Sequence, residues 1–413
     1  MPRATSHLSR KQIWRDISAL RDHKVPGHGG VIWLLAIAQL LSYACFFYVF
    51  AALLVAWQED LAWGTSLFAA GPTLSILVAA GASIFVGRGI DLGHSGRLMP
   101  IGALIGGFSL LLLASMTAPW AYFVAFAGLG LAMSACTYEA GFAVAIRYFD
   151  QGARRAITKI TLVAGLASTL SFPAGAALSH AYGWRTAVVL AALIALFVIA
   201  PLYLWVVRHL PLTSPRQSQS PKAAWQTLRD RRFWHLAALF SLINLNHWML
   251  IGFLLVVLDD FGLVPALAVL AATTIGPAQV AGRAVLMRFE TGVNTARAMI
   301  FTLAYGFIGL IFLALSPAFP YSAIGFAVMQ GASMGVVTIL RPTLVAETLG
   351  RDNYGAIAGL LSVPTQIASA LSTLCAALVF HLWGGVGVLA LSAVIVMISL
   401  GLASAGYRRS LSL

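Results

Sequence analysis

Long apolar stretches alternate with short polar ones over almost the whole chain. Runs of roughly 20 apolar residues, enough to cross a bilayer as a helix, recur at 31–56, 65–86, 98–117, 120–146, 156–180 and 184–207. After a polar stretch they recur at 233–257, 265–287, 298–316, 320–346, 354–381 and 383–405. These runs lack the two-residue alternation of a membrane barrel, and a helix satisfies every backbone group within one segment. The pattern predicts an all-α membrane protein of twelve transmembrane helices, with very short turns in the pairs 3/4, 5/6, 9/10 and 11/12.

The two halves repeat at a spacing near 200 residues. Glu59-Asp60 recurs as Asp259-Asp260, Gly87-Arg88 as Gly282-Arg283, and Asp150 as Asp352. In the same register Glu139 of helix 4 aligns with Arg341 of helix 10. Two parallel six-helix repeats joined by a polar link are a transporter plan. The expected organisation is an arm at 1–30, a six-helix bundle at 31–207, a linker at 208–232 with Pro211, Pro215 and Pro221, a second bundle at 233–405, and a tail at 406–413. The arm has no apolar stretch followed by a small-residue cleavage site. Ile13, Trp14, Ile17 and Leu20 suggest a surface helix within it.

Composition sharpens this picture. Only 9% of the 413 residues are charged and 60% are hydrophobic, against roughly 25% charged in soluble chains. The net charge of +13 would suit nucleic acid, but its distribution argues otherwise. Of the 26 Lys and Arg residues, all but Arg185 fall on the side of the predicted membrane that carries the N-terminus. Basic residues are retained in the cytoplasm, so both termini are expected there, in a cytoplasmic (inner) membrane, with no nucleic-acid partner. Trp57, Trp63, Trp120, Trp184 and Trp383 fall at the opposite boundary, where an aromatic belt is expected.

The segment Gly87-Arg-Gly-Ile-Asp91, followed by Gly93, Gly96 and Arg97, resembles the signature loop of the major facilitator superfamily, with Leu92 where that pattern has a basic residue. The resemblance covers the whole chain and implies the major facilitator fold, two pseudo-symmetric six-helix bundles. Glu59-Asp-Leu-Ala-Trp63, Tyr138-Glu139-Ala-Gly-Phe142, Arg154-Arg155-Ala-Ile-Thr158 and Gly183-Trp184-Arg185 are similar to bacterial members near the monocarboxylate-porter branch. By resemblance Gly87 and Asp91 form a cytoplasmic latch, with Arg97 and Arg147 as partners of Asp91. The monocarboxylate pattern, an acid and an Arg four residues apart in helix 8, has Gln279 and Arg283 as one alignment. The repeat register instead equates Arg283 with Arg88 and makes it a gate residue, and that register is favoured. Gly165, Pro173 and Gly175 resemble part of an antiporter motif of the family.

Glu139 is the one acid well inside a predicted span. Such a residue marks a pathway, a proton relay or an ion pair. It is expected to face Arg341 across the pseudo-two-fold axis, as a gate, as proton and anion sites, or as a fixed structural pair. His247, with Asn244, Asn246 and Trp248, interrupts the apolar pattern of helix 7, as polar mid-span segments do around transport cavities. The competing reading is a histidine bonded to a backbone carbonyl within the bundle. Tyr43, Tyr48, Gln330 and Gln366 are polar groups needing partners in a water-poor interior. Cys45, Cys136 and Cys375 are soft ligands that matter only for a metalloid substrate, and otherwise behave as small apolar residues.

A nucleotide-driven pump is disfavoured, since the chain contains no Gly-Lys pair to build a phosphate loop. Gly93-His94-Ser95-Gly96 lies in a charged loop, unlike the embedded serine of an intramembrane protease. The expected activity is alternating-access secondary transport of a small solute, a small organic anion coupled to protons, by a monomer and without a cofactor. Efflux of drugs or of a trivalent metalloid such as arsenite is the runner-up, and a non-transporting membrane receptor is the rival from another class.

Overall fold

The computed structural model describes residues 28–61, 63–149, 152–210, 225–288 and 294–411. The expected surface helix around Ile13, Trp14, Ile17 and Leu20, most of the 208–232 linker, Asp150 and residues 412–413 lie outside the described residues.

The first helix, α1, consists of His28–Ser42, a π-helical turn at Tyr43–Phe47, and Val49–Leu61. Then come α2 (Thr65–Asp91), α3 (Ser95–Ala114), α4 in two pieces (Pro119–Cys136 and Tyr138–Phe149) and α5 in two pieces (Ala153–Ala164 and Ala167–Tyr182). A second π-helical turn, Ala195–Ile199, joins the Trp184–Ile194 and Ala200–Arg208 pieces of α6. The second half begins with α7 (Arg231–Asp260), α8 (Pro265–Arg288), α9 (Thr295–Ala314) and α10 (Ser322–Leu349). Tyr354–Leu411 runs on without a loop, but Gly384 (φ 63, ψ −161) divides it into α11 (354–383) and α12 (385–411). Eleven described segments are long and apolar enough to cross a membrane, and Tyr354–Gly406 contains two spans because of that break. The architecture is therefore twelve spans in two pseudo-symmetric six-helix bundles.

The repeat read from acidic pairs and glycines is visible as matching joints. Asp60, at the end of α1, accepts the Trp184 indole at 3.0 Å and Arg185 at 2.7 Å at the start of α6. Asp260, at the end of α7, accepts the amide of Gly385 at 2.8 Å at the start of α12. The residue before each joint is a glycine with positive φ, Gly183 at 79° and Gly384 at 63°, a conformation costly for residues with a Cβ. Each bundle is thus fastened at the same corner by a carboxylate against a helix start.

The linker enters α7 through Asp230, whose side chain accepts the Arg232 amide at 2.8 Å as an N-cap. The Arg232 side chain hydrogen-bonded to it holds its carboxyl below the ordinary value.

Both α4 and α5 are broken. In α4, Thr137 is extended (φ −112, ψ −167). The hydroxyls of Ser134 and Thr137 bond back to the carbonyls of Leu131 and Met133 at 2.7 and 2.6 Å, a pattern that bends helices. The α5 break falls at Gly165 and Leu166. One large apolar cluster joins Leu35, Phe142 and Ile157 of the first bundle to Phe240, Leu340 and Leu361 of the second. The expected tryptophan belt is reduced. Trp57 and Trp184 are buried, Trp57 among Phe68, Tyr122 and Phe126, while Trp120 and Trp383 are exposed. Sequence position places a tryptophan at a depth but not on a face.

Candidate functional site

The two bundles meet at the end that carries the α2–α3 turn. There α2 lies against the start of α11 with no side chain between the backbones. A Cβ at Gly87 would collide with the carbonyl of Gly355, and a Cβ at Gly355 with that of Gly87. One turn on, a Cβ at Gly359 would lie 2.6 Å from the Ser83 carbonyl, and the Ser83 and Ser362 hydroxyls are 2.8 Å apart. Asp91 closes this seam. Its two carboxylate oxygens accept the amides of Gly355 and Ala356, both at 2.9 Å. These are orphan donors of the first turn of α11, and the helix dipole favours an anion there. Arg147 of α4 donates to the Asp91 carbonyl, whereas Arg97 is exposed. The Asp91 carboxylate thus caps the start of α11, with the Arg147 guanidinium held beside it on the Asp91 backbone carbonyl.

Deeper in the protein, Glu139 and Arg341 meet across the bundles at 3.2 Å, with 29% and 22% of their side chains exposed. Glu139 stands in the first turn of the resumed α4 helix, where a negative charge is favoured. Arg341 also lies over the Phe240 ring, 5.7 Å from its centroid. Above the pair runs an aromatic wall from the first bundle. Tyr43 packs on Tyr138 at 4.6 Å, Tyr138 on Phe142 at 5.0 Å, Phe47 on Tyr48 at 5.0 Å, and Tyr48 on Phe172 at 5.7 Å.

Arg283 faces this wall from α8. It is 3% exposed and donates to the Thr161 carbonyl at 2.9 Å, to Thr338 Oγ1 at 3.3 Å and to Gln279 Oε1 at 3.5 Å. Thr161 is in the last turn of the first α5 piece, whose carbonyl end carries partial negative charge. Tyr48 and Tyr138 are within electrostatic reach of the guanidinium. Among the described residues no carboxylate lies within salt-bridge distance of it. Its repeat counterpart Arg88 is exposed, so the same register position serves two different surroundings.

Beyond these ties the burial of α5 changes. The first α5 piece buries seven residues, from Ala153 to Ala164, while the second buries only Ala167. α5 is thus packed at the α2–α3 end and largely exposed beyond its break.

The family model of the Major Facilitator Superfamily matches residues 35–326. The chain belongs to the Major Facilitator Superfamily. A search of curated proteins finds no match. The fold is similar to a crystal structure of FucP, a transporter of this superfamily, in the outward conformation, with a TM-score of 0.64 at 14% identity over 90% of this chain and 97% of that one. It is also similar to an alanine variant of the E. coli fucose:proton symporter FucP, with a TM-score of 0.68 at 14% identity over 91% of this chain and 98% of that one. The chain is thus a multi-pass membrane transporter of this superfamily and not an enzyme.

The remaining candidates are buried or half-buried within the bundles. His247 and Asn246 of α7 and Gln330 of α10 line a crevice of about 30 Å³ inside the second bundle, with Ser333 and Ser399, room for about one water. His247 is 6% exposed and its Nδ1 has no partner. Asn246 accepts the Ser392 hydroxyl at 2.5 Å. Asn244 is half-buried, one helical turn beyond Phe240, and Gln366 is half-buried midway along α11. Cys45 and Cys136 are buried in the first bundle and Cys375 is in α11. No described group of three or more His, Cys, Asp or Glu could hold a metal.

Sequence reasoning did not find the helix 11 amides as the partner of Asp91, since backbone donors leave no trace in residue type. The glycines Gly355 and Gly359, one turn apart and opposite Gly87 and Ser83, were the available signal.

Proposed function

We propose that the protein is a secondary transporter of small organic anions, coupled to protons, and that it stands here in its outward-open form. The observation that carries the reading is Arg283, a buried cation at the bundle interface held, among the described residues, by neutral acceptors alone. An unneutralised charge in a membrane interior is costly, and marks a substrate or ion pathway. A carboxylate entering from the open end would replace the long bonds to neutral Thr338 and Gln279 with shorter ones to an ionised acceptor, its apolar part against the aromatic wall.

The Glu139–Arg341 pair supplies the coupling. With Glu139 ionised, Arg341 is neutralised and the cleft carries the single charge of Arg283. Protonation of Glu139 releases Arg341 as a second positive group, so proton and anion favour each other's binding. The proton coupling of the similar fucose:proton symporter supports this part, while its sugar substrate does not bear on the anion. The basic bias of one face supports a cytoplasmic position for the sealed end and both termini. The chain works as a monomer in this reading, since both halves of the cleft come from one chain.

The test is counterflow of radiolabelled lactate, pyruvate and benzoate, with fucose as a neutral comparison, in proteoliposomes. Exchange of at least one anion that falls by about tenfold or more in Arg283→Gln, the scale of a lost charge-assisted bond, is expected. Anion exchange insensitive to Arg283→Gln, or exchange of fucose alone, contradicts the reading.

A further inference from the structure

Behind the α4 break lies a buried polar cluster that neither the gate nor the anion site uses. Gln39 and Ser42 of α1, Tyr203 of α6 and Cys136 of α4 are all fully buried. In an unbroken helix the Cys136 carbonyl would accept the amide of Ala140. The extended Thr137 takes it out of that ladder, and a buried carbonyl without a donor is costly. The Tyr203 hydroxyl supplies the donor, at 2.8 Å. The same hydroxyl accepts Gln39 Nε2 at 3.2 Å and lies 3.1 Å from Ser42 Oγ. Gln39 also touches the far side of the break, because a Cβ at Gly141 would lie 2.8 Å from its Nε2. The amide left at the other lip, that of Tyr138, donates to the Tyr43 hydroxyl at 3.4 Å. One tyrosine therefore holds each lip of the break, Tyr203 the carbonyl and Tyr43 the amide.

We infer that Tyr203, backed by Gln39, is a positioning residue for Glu139: it keeps α4 broken at Thr137, and so aims the resumed helix, with Glu139 in its first turn, at Arg341. Each residue rewound into the helix rotates the rest of α4 by about 100° (3.6 residues per turn), so closing the break carries Glu139 off Arg341. The groups that face Glu139 are Arg341 from α10, Tyr43 from α1 and Tyr354 from α11. The Tyr203 hydroxyl is bonded to the backbone of α4 and not to Glu139, so its influence on that carboxyl runs through the break. The inference rests on the reading of Glu139 and Arg341 as a titrating pair.

The test is the infrared carboxylic-acid stretch of Glu139, titrated with pH in the purified full chain, with Glu139→Gln as the blank that assigns the band. Loss of the pair leaves the carboxylate without its cation, so its proton affinity rises. Arg341→Gln, the control, is expected to move the titration midpoint upward. Tyr203→Phe, which keeps the ring and removes only the hydroxyl, is expected to move it upward by about one pH unit, a tenfold gain in proton affinity. Gln39→Leu is expected to move it in the same direction, and is read alone if Tyr203→Phe does not yield folded protein. A midpoint that shifts in Arg341→Gln but stays in place in the two network variants overturns the positioning role. A midpoint that stays in place in all three overturns the pair, and the inference with it.

Discussion

The carboxylate of Asp91 in α2 accepts the backbone amide of Gly355 at the start of α11 at 2.9 Å, so an acid of one bundle caps a helix of the other. With the second bond to Ala356, this contact stabilises the sealed end only while both bundles are together. In the proposed alternating-access cycle it is a difference between the two states, and only such a difference shifts their balance.

Asp91→Asn retains one acceptor oxygen and loses the charge. Charge-assisted bonds contribute about 1.5–3 kcal/mol, so a loss of roughly 2 kcal/mol shifts the balance of the two openings by about thirtyfold. A cysteine introduced at Ser83, shielded in the α2–α11 seam, reports it. Maleimide labelling of Ser83→Cys from the termini side should be faster in the Asp91→Asn background. An unchanged rate means that the seam is held without Asp91.

Gly355→Ala acts on the same seam by shape. The added Cβ meets the Gly87 carbonyl, and backbone cannot rotate away as a side chain can. Spin labels at the exposed positions Arg88 and Asp352 should move apart by several ångströms in the variant, with transport reduced by about tenfold or more. An unchanged distance distribution contradicts the assignment of this contact to the closed state.

The fold was legible because the membrane demands long apolar runs, and the repeat read from Asp60 and Asp260 reappears as matching joints, where the structure adds the positive-φ glycines Gly183 and Gly384. Glu139 and Arg341 were legible as a pair because charges inside a span have few alternatives to one another. Arg283 was harder. Its repeat register equates it with Arg88, yet α5 and α10 enclose one and leave the other exposed, a tertiary difference that spacing does not carry. His247 and Gln330 were legible as polar exceptions, but which side of a helix faces the cleft depends on packing, and both line a crevice within their own bundle.

That placement has a consequence for His247. The crevice lies among α7, α9, α10 and α12, apart from the cleft between the bundles. His247→Gln keeps a polar side chain of similar reach, so anion counterflow should stay within about threefold of the parent, with a stability change of about 1 kcal/mol or less. Flux and its pH profile in proteoliposomes provide the check. A displaced pH profile puts His247 in the proton path.

The Glu139–Arg341 pair can be separated from a fixed structural bridge by exchanging the charges. Glu139→Arg with Arg341→Glu restores a bridge, but moves the acid out of the first turn of the resumed α4 helix. The exchanged protein should fold and bind anions, yet lose proton-coupled flux by about tenfold or more, the scale of a misplaced proton-transfer group. Full flux in the exchanged protein makes the pair structural only.

The most direct measurement is proton movement in pyranine-loaded proteoliposomes at zero potential, with lactate, pyruvate and benzoate added in turn. The account predicts a pH change that depends on the anion, is abolished in Glu139→Gln, and leaves anion counterflow intact in that variant. Anion flux without proton movement, or proton movement that persists in Glu139→Gln, contradicts it.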